Sequence, residues 1–443
     1  MTTLSDEQNQ AFILFTRHQN LFITGPGGTG KTKLIQHLYK YSLIRNKNIQ
    51  VCALTGCAAV LLDCNARTLH SWTGIGFNKL SFELILSQQL KYKKNIQKWI
   101  SIDILVVDEV SMLSKELFEL INKLAQTIRK NPLPFGGIQV VFTGDFFQLP
   151  PIPEKDKPQE FCFESDIWYE VFPKENHIEL KTMYRQNDPL YVDILSQIRI
   201  GSLDADHIEV LQLHVNKPKP DNAVITKLFP IRIKADQYNT TMFNELDTEI
   251  NTYKIRVNHN VLVHIYNNEK LDTKTIAKCN QLSDAQRKFE TDQLITNNNI
   301  PLTLELRAGA CVMCTRNIDV EINKICNGSQ GKIIGFNAYK DPIVQFDSGI
   351  IMPVEPFHCQ HNEYPCIVVS QYPLCLAWAT TIHKIQGATL EKAEIDCGLN
   401  IFEYGQTYVA LSRIKNLDGL YLSNFNPIKI KANPKVIDFY HSM

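Results

Sequence analysis

The sequence lacks an excess of charge of either sign, because 46 Lys and Arg residues balance 46 Asp and Glu residues in a chain of 443. A protein that coats nucleic acid through its overall charge would carry a clear excess of basic residues. The composition therefore excludes that mode of binding. Any contact with nucleic acid must come from a localised groove or channel.

Long apolar runs and targeting segments are also lacking. No stretch approaches the roughly 18 apolar residues that a transmembrane helix needs, so we expect no membrane partner. The N-terminal residues 1–9 are polar and acidic, unlike a secretory signal or an Arg-rich transit peptide. We expect a protein that is not secreted, cytoplasmic if bacterial, and nuclear or in a host-cell compartment if eukaryotic or viral.

The 12 cysteines have no regular spacing, and several lie in apolar stretches. We interpret them as free buried thiols in a reducing compartment. Cys311 and Cys314 have no second pair at zinc-finger spacing. Residues 358–366 contain two His and two Cys that could hold zinc in principle, but their spacing fits no common zinc module.

What the first half does contain is an alternation of short apolar runs with helical stretches. The whole chain of 443 residues is too long for one compact core, so two to four domains are expected. This alternation predicts a parallel α/β sheet. The predicted strands are residues 21–24, 51–54, 104–107 and 138–142, with an amphipathic helix at 31–41.

The second half begins after a cluster of prolines between residues 150 and 158. Strands near 223–228 and at 375–378 predict that the α/β pattern returns. Residues 247–300 are polar, and we interpret them as irregular or as short surface elements. The β-rich stretch 301–370 predicts a small antiparallel barrel, with strands at 312–315, 332–336, 343–346 and 350–354.

One motif matches the P-loop pattern in full, and it lies between a predicted strand and a predicted helix. Its glycines let the backbone N–H groups wrap a phosphate, and the helix N-terminus points its positive end there. Lys31 would reach the β- and γ-phosphates of ATP, and Thr32 would ligate Mg²⁺. The residues of the motif are Gly25, Pro26, Gly27, Gly28, Thr29, Gly30, Lys31 and Thr32.

A pair of carboxylates, Asp108 and Glu109, ends the apolar strand at 104–107. We assign Asp108 to Mg²⁺ and Glu109 to general-base work on the attacking water. A kinase is disfavoured because the pair favours water as the acceptor. Arg185 and Arg413 are candidate arginine fingers, which stabilise charge on a transferring phosphoryl group from across a cleft.

Further motifs occur in order along the whole chain. The first half has Leu-Ser-Asp-Glu-Gln at 4–8, Thr-Gly-Cys-Ala-Ala at 55–59, Thr-Leu-His-Ser-Trp-Thr-Gly-Ile-Gly at 68–76, Asp-Glu-Val-Ser-Met-Leu at 108–113, Phe-Gly-Gly-Ile-Gln at 135–139 and Gly-Asp-Phe-Phe-Gln-Leu-Pro-Pro at 144–151. The second half has Tyr-Arg-Gln at 184–186, Asn-Gly-Ser-Gln-Gly at 327–331, Leu-Ala-Trp-Ala at 376–379, Ile-His-Lys-Ile-Gln-Gly-Ala-Thr-Leu at 382–390 and Gln-Thr-Tyr-Val-Ala-Leu-Ser-Arg at 406–413. Together they resemble the motifs of the petite-integration-frequency (Pif) DNA helicases, a RecD-like family of superfamily 1 class B.

The resemblance implies an α/β fold with two RecA-like P-loop domains in tandem and ATP between them. It also implies a small wedge insertion and an inserted SH3-like β-barrel. The implied boundaries are 1–180 for the first RecA-like domain with its wedge at about 65–90, 181–245 and 371–443 for the second, and 246–370 for an insertion with the barrel at about 305–370.

The resemblance further implies roles for single residues. Gln8 would read the adenine, Gln148 would sense the γ-phosphate, and Arg185 and Arg413 would reach it from the second domain. The implied activity is ATP-dependent 5′-to-3′ unwinding of DNA, in replication, repair, recombination or telomere and genome maintenance. ATP and Mg²⁺ are the expected cofactors.

A motor that moves along a single strand needs aromatic faces and backbone-phosphate donors along a groove. The candidate stacking residues are Trp72, Phe77, Phe146, Phe147, Trp378 and His383. The candidate phosphate contacts are Thr55, His70, Lys384 and Thr389. The expected partners are single-stranded and forked DNA, with quadruplex DNA and RNA–DNA hybrids as further candidates, and we expect a monomer.

Two alternatives to a DNA helicase remain open from the sequence. One is a translocase that strips proteins or acts on RNA without unwinding. The other is a nucleotide-dependent binding switch with slow hydrolysis. Glu109 and the two arginines argue against the switch, because a switch can dispense with a full hydrolytic set.

Overall fold

The structure, a computed structural model, describes residues 4–75, 81–91, 93–153, 158–219, 225–259, 273–319, 325, 328–361 and 364–443. The chain forms two compact units, and each is treated by itself. The first is Met1–Gln237 with Ala379–Met443, and the second is Tyr238–Trp378.

The strands are numbered in chain order. They are β1 Leu21–Thr24, β2 Ile49–Ala53, β3 Arg67–Thr68, β4 Ile104–Asp108, β5 Gln139–Gly144, β6 His177–Glu179, β7 Thr226–Phe229, β8 Asn251–Lys254, β9 Arg256–Asn258, β10 Thr303–Leu306, β11 Cys311–Cys314, β12 Gln330–Phe336, β13 Pro342–Phe346, β14 Ile351–Pro353, β15 Phe357–Gln360, β16 Val368–Gln371, β17 Leu374–Leu376, β18 Ala379–Thr381, β19 Ala393–Cys397 and β20 Leu420–Phe425.

The helices follow the same numbering. They are α1 Asp6–Thr16, α2 Lys31–Ile44, α3 Gly56–Leu61, α4 Leu69–Thr73, α5 Phe82–Lys91, α6 Lys93–Ser101, α7 Lys115–Arg129, α8 Trp168–Val171, α9 Pro189–Ile200, α10 Ala205–Gln212, α11 Arg232–Asn244, α12 Thr273–Gln281, α13 Asp284–Asn297, α14 Gln406–Leu411 and α15 Pro434–His441.

A six-stranded sheet in the order β3-β2-β4-β5-β1-β6 organises the first lobe, which we define as residues 4–180. Every neighbouring pair in it is parallel. Strands β1, β4 and β5 are fully buried, as their apolar runs predict. Because parallel strands end at the same edge, the segments that follow Thr24, Asp108 and Gly144 meet there.

A four-stranded parallel sheet in the order β18-β7-β19-β20 organises the second lobe, residues 181–237 and 379–433 of the first unit. Helix α9 packs on it, with an N-terminus fixed by Asp188, whose side chain accepts from the backbone N–H groups of Leu190 and Tyr191. The parallel sheets of the two lobes confirm the predicted α/β class.

The C-terminal helix α15 departs from the predicted domain boundary. Its residues Val436 and Phe439 are buried in the core of the first lobe, where the Phe439 ring lies 4.3 Å from the ring of Phe163. The chain therefore returns to the first lobe after completing the second. The sequence around α15 gave no sign of this, because its apolar spacing says only that one face is buried.

The second unit has a core of its own around a five-stranded antiparallel sheet in the order β14-β13-β12-β11-β17. The strands predicted within 301–370 are confirmed to within a few residues. The strand predicted at 375–378 as a return of the α/β pattern is instead β17, which pairs antiparallel with β11 in this sheet, so the α/β pattern returns only at β18. A three-stranded antiparallel sheet, β15-β16-β9, packs with helix α13 in the same unit. Residues 247–300 hold short strands and two helices, α12 and α13, one of the two interpretations expected from sequence.

None of the helices in the described part of the chain is long and apolar enough to cross a membrane. Within those same residues no group of three or more His, Cys, Asp or Glu side chains could hold a metal ion. In the stretch considered for zinc, His358 instead bonds Ser370 through Nδ1 at 2.6 Å. Cys366 is buried in an apolar cluster.

Candidate nucleotide-binding and hydrolysis site

The P-loop connects the end of β1 to the start of α2, as its pattern predicts. Gly25, Gly28 and Gly30 have φ values of 136°, 98° and 85°, in the left-handed region that disfavours other residues. A Cβ atom on Gly25 would lie 2.4 Å from the carbonyl oxygen of Leu180. Glycine is therefore required at Gly25 by both conformation and space.

Lys31 begins α2 and folds back over this loop. Its Nζ donates to the carbonyl oxygens of Gly25 at 2.6 Å and Pro26 at 3.0 Å. Burial lowers the pKa of Lys31, while the charges of Asp145, Glu109 and Asp108 act in the opposite direction. The ammonium group thus lies in an enclosed site near three carboxylates, and it is the positive group there that can pair with a phosphate.

Asp108 is the last residue of β4 and is almost fully buried. Burial and the neighbouring charge of Glu109 raise its pKa to about 6, against a hydrogen bond from the Thr143 hydroxyl and the charge of Lys31. A buried carboxyl with a raised pKa gains from a bound cation, since the cation stabilises its ionised form.

Glu109 follows in an unusual backbone conformation, with φ 58° and ψ 40°. A non-glycine residue held in this region is strained, and such strain concentrates at functional sites. The conformation ends the strand and turns the side chain toward the second lobe. There its Oε2 accepts from Nε2 of Gln386 at 3.1 Å.

Two arginines of the second lobe meet the P-loop. The Cβ position of Gly27 lies 3.6 Å from both Arg185 Nη1 and Arg413 Nη2. Arg413 is fully buried and donates from Nη2 toward the Gln148 amide oxygen at 3.5 Å. Arg185 donates from Nη1 to the carbonyl oxygen of Ser412 at 3.1 Å.

These arginines are poorly solvated. Burial and the nearby charge of Arg413 lower the pKa of Arg185 to about 10, and burial lowers the pKa of Arg413 as well. Two cations held side by side away from water repel each other. A bound polyphosphate would relieve that repulsion, so the arrangement is suited to an anion.

One cavity of about 310 Å³ brings these residues together. It is bordered by both lobes, so neither lobe alone forms it. The lining residues are Gly27, Gly28, Gly30, Lys31, Thr32, Lys33, Ala58, Leu61, Asp108, Glu109, Gln148, Tyr184, Arg185, Gly387 and Arg413. Every predicted catalytic residue is on this list, together with Thr32 of the predicted metal pair.

Gln8 lies beside this cavity rather than on its lining. Its Nε2 is 3.5 Å from the carbonyl oxygen of Gly30, and its amide oxygen accepts from the Ser5 backbone N–H in the cap of α1. The ring of Tyr184, from the second lobe, lies 3.3 Å from the Cβ position of the same Gly30. Sequence reasoning assigned no role to Tyr184, although it directly precedes Arg185.

The predicted stacking residues require a correction. Trp72, Phe146, Phe147 and Trp378 are all buried, which leaves their rings unavailable to a DNA strand in this conformation. Trp72 packs on Trp99 at 4.7 Å, Phe147 stacks on Tyr440 at 4.8 Å, and Trp378 lies in the core of the second unit. Phe77 lies outside the described residues.

The remaining DNA candidates are at least partly accessible. Lys384 and Thr389 are exposed on the segment after β18, and His383 there is half-buried and stacks on Phe402 at 5.9 Å. In the first lobe, the Thr55 hydroxyl accepts from the Ala58 N–H and so caps α3.

His70 of α4 is half-buried, and burial lowers its pKa. Of these five residues, Thr55 and His70 lie in the first lobe, and the other three lie on one segment of the second lobe. Phe402, exposed beside His383, was not identified from sequence.

Two parallel α/β lobes that share one P-loop cavity, with a buried Asp-Glu pair on one side and two arginines on the other, define a P-loop NTPase of the motor class. Comparison with known families agrees. Residues 3–203 match the model of the PIF1-like helicases, and residues 291–336 match the model of the DNA helicase Pif1 2B domain.

Individual relatives extend the match to the whole chain. The ATP-dependent DNA helicase Pif1 of Bdellovibrio bacteriovorus is 33% identical over 99% of this chain and 91% of its own length. Longer relatives from Emericella nidulans and Xenopus laevis, both named ATP-dependent DNA helicase PIF1, are covered over 61% and 64% of their lengths.

Solved structures give the same result. The crystal structure of the Candida albicans Pif1 helicase has a TM-score of 0.82 and 32% identity, covering 100% of this chain and 99% of that one. Pif1 from Bacteroides in complex with ADP-AlF3 and single-stranded DNA has a TM-score of 0.74 and 25% identity, covering 100% and 97%.

The chain belongs to the PIF1-like helicase family and has its RecA-like helicase fold. The predicted enzyme class, an ATP-dependent DNA helicase, is confirmed by this membership.

Proposed function

We propose that this chain hydrolyses ATP in the cavity between its two lobes and thereby moves 5′ to 3′ along single-stranded DNA, separating duplex DNA ahead of it. The observation that carries the proposal is the meeting of Lys31, the Asp108–Glu109 pair and Arg413 around one cavity bordered by both lobes. A site built from two lobes can convert a change in its ligand into a movement of one lobe against the other.

Each residue of the cavity has a role that its position supports. Lys31 holds the β- and γ-phosphates, Glu109 orients and deprotonates the attacking water, and Gln148 senses the γ-phosphate. Thr32 and Asp108 would hold Mg²⁺, whose chemistry is to neutralise charge on the phosphates. The buried Asp108 with its raised pKa fits that group, as does a hydroxyl from Thr32 on the same cavity wall.

The movement follows from differential contact with the γ-phosphate. Arg185 and Arg413 of the second lobe lie at the P-loop of the first, so a nucleotide with a γ-phosphate favours the closed arrangement. Hydrolysis removes that contact and lets the lobes separate. Alternating grip on a strand by the two lobes then produces a step.

The DNA contacts proposed are the accessible candidates only. Thr55 and His70 in the first lobe, and His383, Lys384 and Thr389 in the second, would contact the backbone of a single strand. Single-stranded DNA, the ligand named for the Bacteroides relative, and forked DNA are the partners this arrangement suits. We further propose that the chain acts as a monomer in DNA replication, repair or recombination.

The domain assignment is proposed on the same basis. The two lobes correspond to the two RecA-like domains, with α15 returned to the first. The five-stranded antiparallel sheet of the second unit supports the assignment of residues 305–370 as an SH3-like barrel. Helices α4 and α5 lie in the segment proposed as the wedge, about 65–90.

The ATPase assignment is tested with Lys31→Ala. We expect this variant to lose DNA-stimulated ATP hydrolysis while single-strand binding remains near the wild-type level, because Lys31 lies in the cavity and not among the proposed DNA contacts. Lys40→Ala is the matched control, since Lys40 is exposed on the same helix. A Lys31→Ala protein that still unwinds DNA with ATP would show that the site is wrongly assigned.

The polarity of unwinding is tested with two duplex substrates, one with a single-stranded 5′ tail and one with a single-stranded 3′ tail. We expect unwinding from a 5′ tail and none from a 3′ tail. Unwinding only from the 3′ tail would contradict the proposed direction. DNA-stimulated ATPase without unwinding from either tail would instead favour a translocase that does not separate strands.

A further inference from the structure

The hydroxyl of Tyr408 joins two segments of the first lobe, although Tyr408 belongs to α14 of the second. It accepts from the backbone N–H of Gly27 in the P-loop at 3.0 Å and donates to Asp145 Oδ2 at 3.2 Å. The side chain is buried. Burial and the charge of Asp145 raise the pKa of Tyr408, so the hydroxyl keeps the proton that it donates.

The Gly27 end of this bridge fixes one peptide of the P-loop. The preceding carbonyl, that of Pro26, accepts from Lys31 Nζ at 3.0 Å and from the Thr29 hydroxyl at 2.9 Å. The Pro26–Gly27 peptide is therefore held at both of its polar atoms. Since Arg185 and Arg413 lie 3.6 Å from the Gly27 Cβ position, this peptide sets the spacing between the P-loop and the arginines.

The Asp145 end of the bridge fixes the turn that carries Gln148. The Gln148 N–H donates to the Asp145 carbonyl oxygen at 2.9 Å, and the Gln148 amide oxygen faces Arg413. Arg413 follows Tyr408 by five residues in the same chain segment. One residue of the second lobe thus contacts both first-lobe segments that face the arginines.

We propose that Tyr408 is a positioning residue that keeps the P-loop, the Gln148 turn and Arg413 in register as the cavity closes on a γ-phosphate. The inference rests on the proposed function, because it takes the cavity to be the ATP site. Tyr408 does not line the cavity, so it acts through Gly27 and Asp145 rather than on the phosphate itself.

Tyr408→Phe tests the proposal because it removes one oxygen atom and keeps the ring. Tyr191→Phe is the matched control. Tyr191 is also fully buried, and its hydroxyl also bonds the α14 segment, donating to the carbonyl oxygen of Leu411 at 2.8 Å. It has no hydrogen bond to the P-loop. Melting temperatures establish that both variants are folded.

Three quantities are measured for each variant: kcat of the DNA-stimulated ATPase, affinity for ADP, and affinity for ADP with aluminium fluoride. For Tyr408→Phe we expect kcat and the affinity for ADP with aluminium fluoride each to fall about tenfold, the scale of one hydrogen bond to a charged group. ADP affinity should stay within about twofold, since register matters only when the γ-phosphate position is filled. Tyr191→Phe should leave all three within about twofold.

Two results would overturn the proposal. If Tyr408→Phe behaves like Tyr191→Phe, the hydroxyl only stabilises the fold. If ADP binding weakens as much as binding of ADP with aluminium fluoride, Tyr408 fixes the conformation of the P-loop in every state. It would then have no specific part in aligning the P-loop with Arg413 around a γ-phosphate. Failure of the proposed function is distinct, because it would appear as wild-type protein that hydrolyses ATP no faster than Lys31→Ala.

Discussion

The buried ion pair between Arg199 and Asp145 provides a quantitative test of how the two lobes are joined. Arg199 lies on α9 of the second lobe, and Asp145 follows β5 of the first. Arg199 Nε is 3.2 Å and 3.1 Å from the two carboxylate oxygens, and Nη2 is 3.0 Å from Oδ1. The guanidinium also lies 4.5 Å from the ring centre of Phe147 and 5.2 Å from that of Tyr440.

Arg199→Met removes the charge while keeping much of the apolar stem. Asp145, which is 0% exposed, would then keep the hydroxyls of Tyr408 at 3.2 Å and Tyr440 at 3.4 Å and the backbone N–H of Phe147 at 3.3 Å, all of them uncharged donors. Burial alone would lower the pKa of Arg199, but Asp145 and the two tyrosines outweigh it and raise that pKa, so these partners stabilise the charged form of Arg199. Removing one partner of such a pair costs about 3–5 kcal/mol.

We therefore expect Arg199→Met to lower the free energy of unfolding of the first unit by about 3–5 kcal/mol, measured by denaturant titration. Arg232→Met is the control, because Arg232 pairs with Asp236 at 3.3 Å while both side chains are mostly exposed. Such a pair contributes at most about 1 kcal/mol. The double variant Arg199→Met/Asp145→Asn should cost less than the sum of the two single variants. An Arg199→Met effect as small as that of Arg232→Met, or strict additivity, would refute the reasoning.

Two further predictions concern the cavity and its supports. Asp108→Asn should stabilise the metal-free protein at pH 7.5. We expect a higher melting temperature and a free energy of unfolding that is larger by up to about 3 kcal/mol. Because the pKa of Asp108 is raised from 3.8 to about 6, its contribution to the stability of the wild-type protein is full below pH 3.8 and is lost as pH rises through about 6. The stability advantage of Asp108→Asn over the wild type should therefore disappear at pH 4, and an advantage that persists there would contradict this prediction. Gly405→Ala should impair both stability and ATPase, because its Cβ would lie 2.2 Å from the Phe147 carbonyl oxygen. Gly349→Ala, at a similar φ of 88° but in open space, should cost only about 1–2 kcal/mol in a thermal melt, and equal losses would rule out the steric explanation.

The features that the sequence predicted are those encoded in a few consecutive residues. The P-loop needs glycines at fixed spacing and a strand before it, and its structure follows the pattern. Strand β4, a run of apolar residues ended by Asp108, is confirmed for the same reason. Strand β19 was not predicted, because Glu394 and Asp396 interrupt its apolar residues. Both are nevertheless buried, and Lys219 and Lys234 pair with them.

Aromatic residues show the limit of reasoning from residue type. A Trp or Phe next to a motif is equally suited to stack on a base or to fill a core, and the sequence does not distinguish the two. The structure places Trp72 and Phe147 inside the first unit, where burial of a large ring contributes more stability than an exposed position would.

By itself the sequence determined the P-loop, the carboxylate pair and strands β1, β2, β4 and β5, since each depends on short-range backbone and hydrophobic preferences. Its ordered motifs determined the class of the protein. Only the tertiary structure decided that Asp145 pairs with Arg199, 54 residues later, and that Tyr440 of the last helix contacts Thr24 at the end of β1. These contacts depend on how the lobes of the first unit pack. Burial makes the pairing of each polar group obligatory, but many arginines and tyrosines along the chain could have supplied the partner.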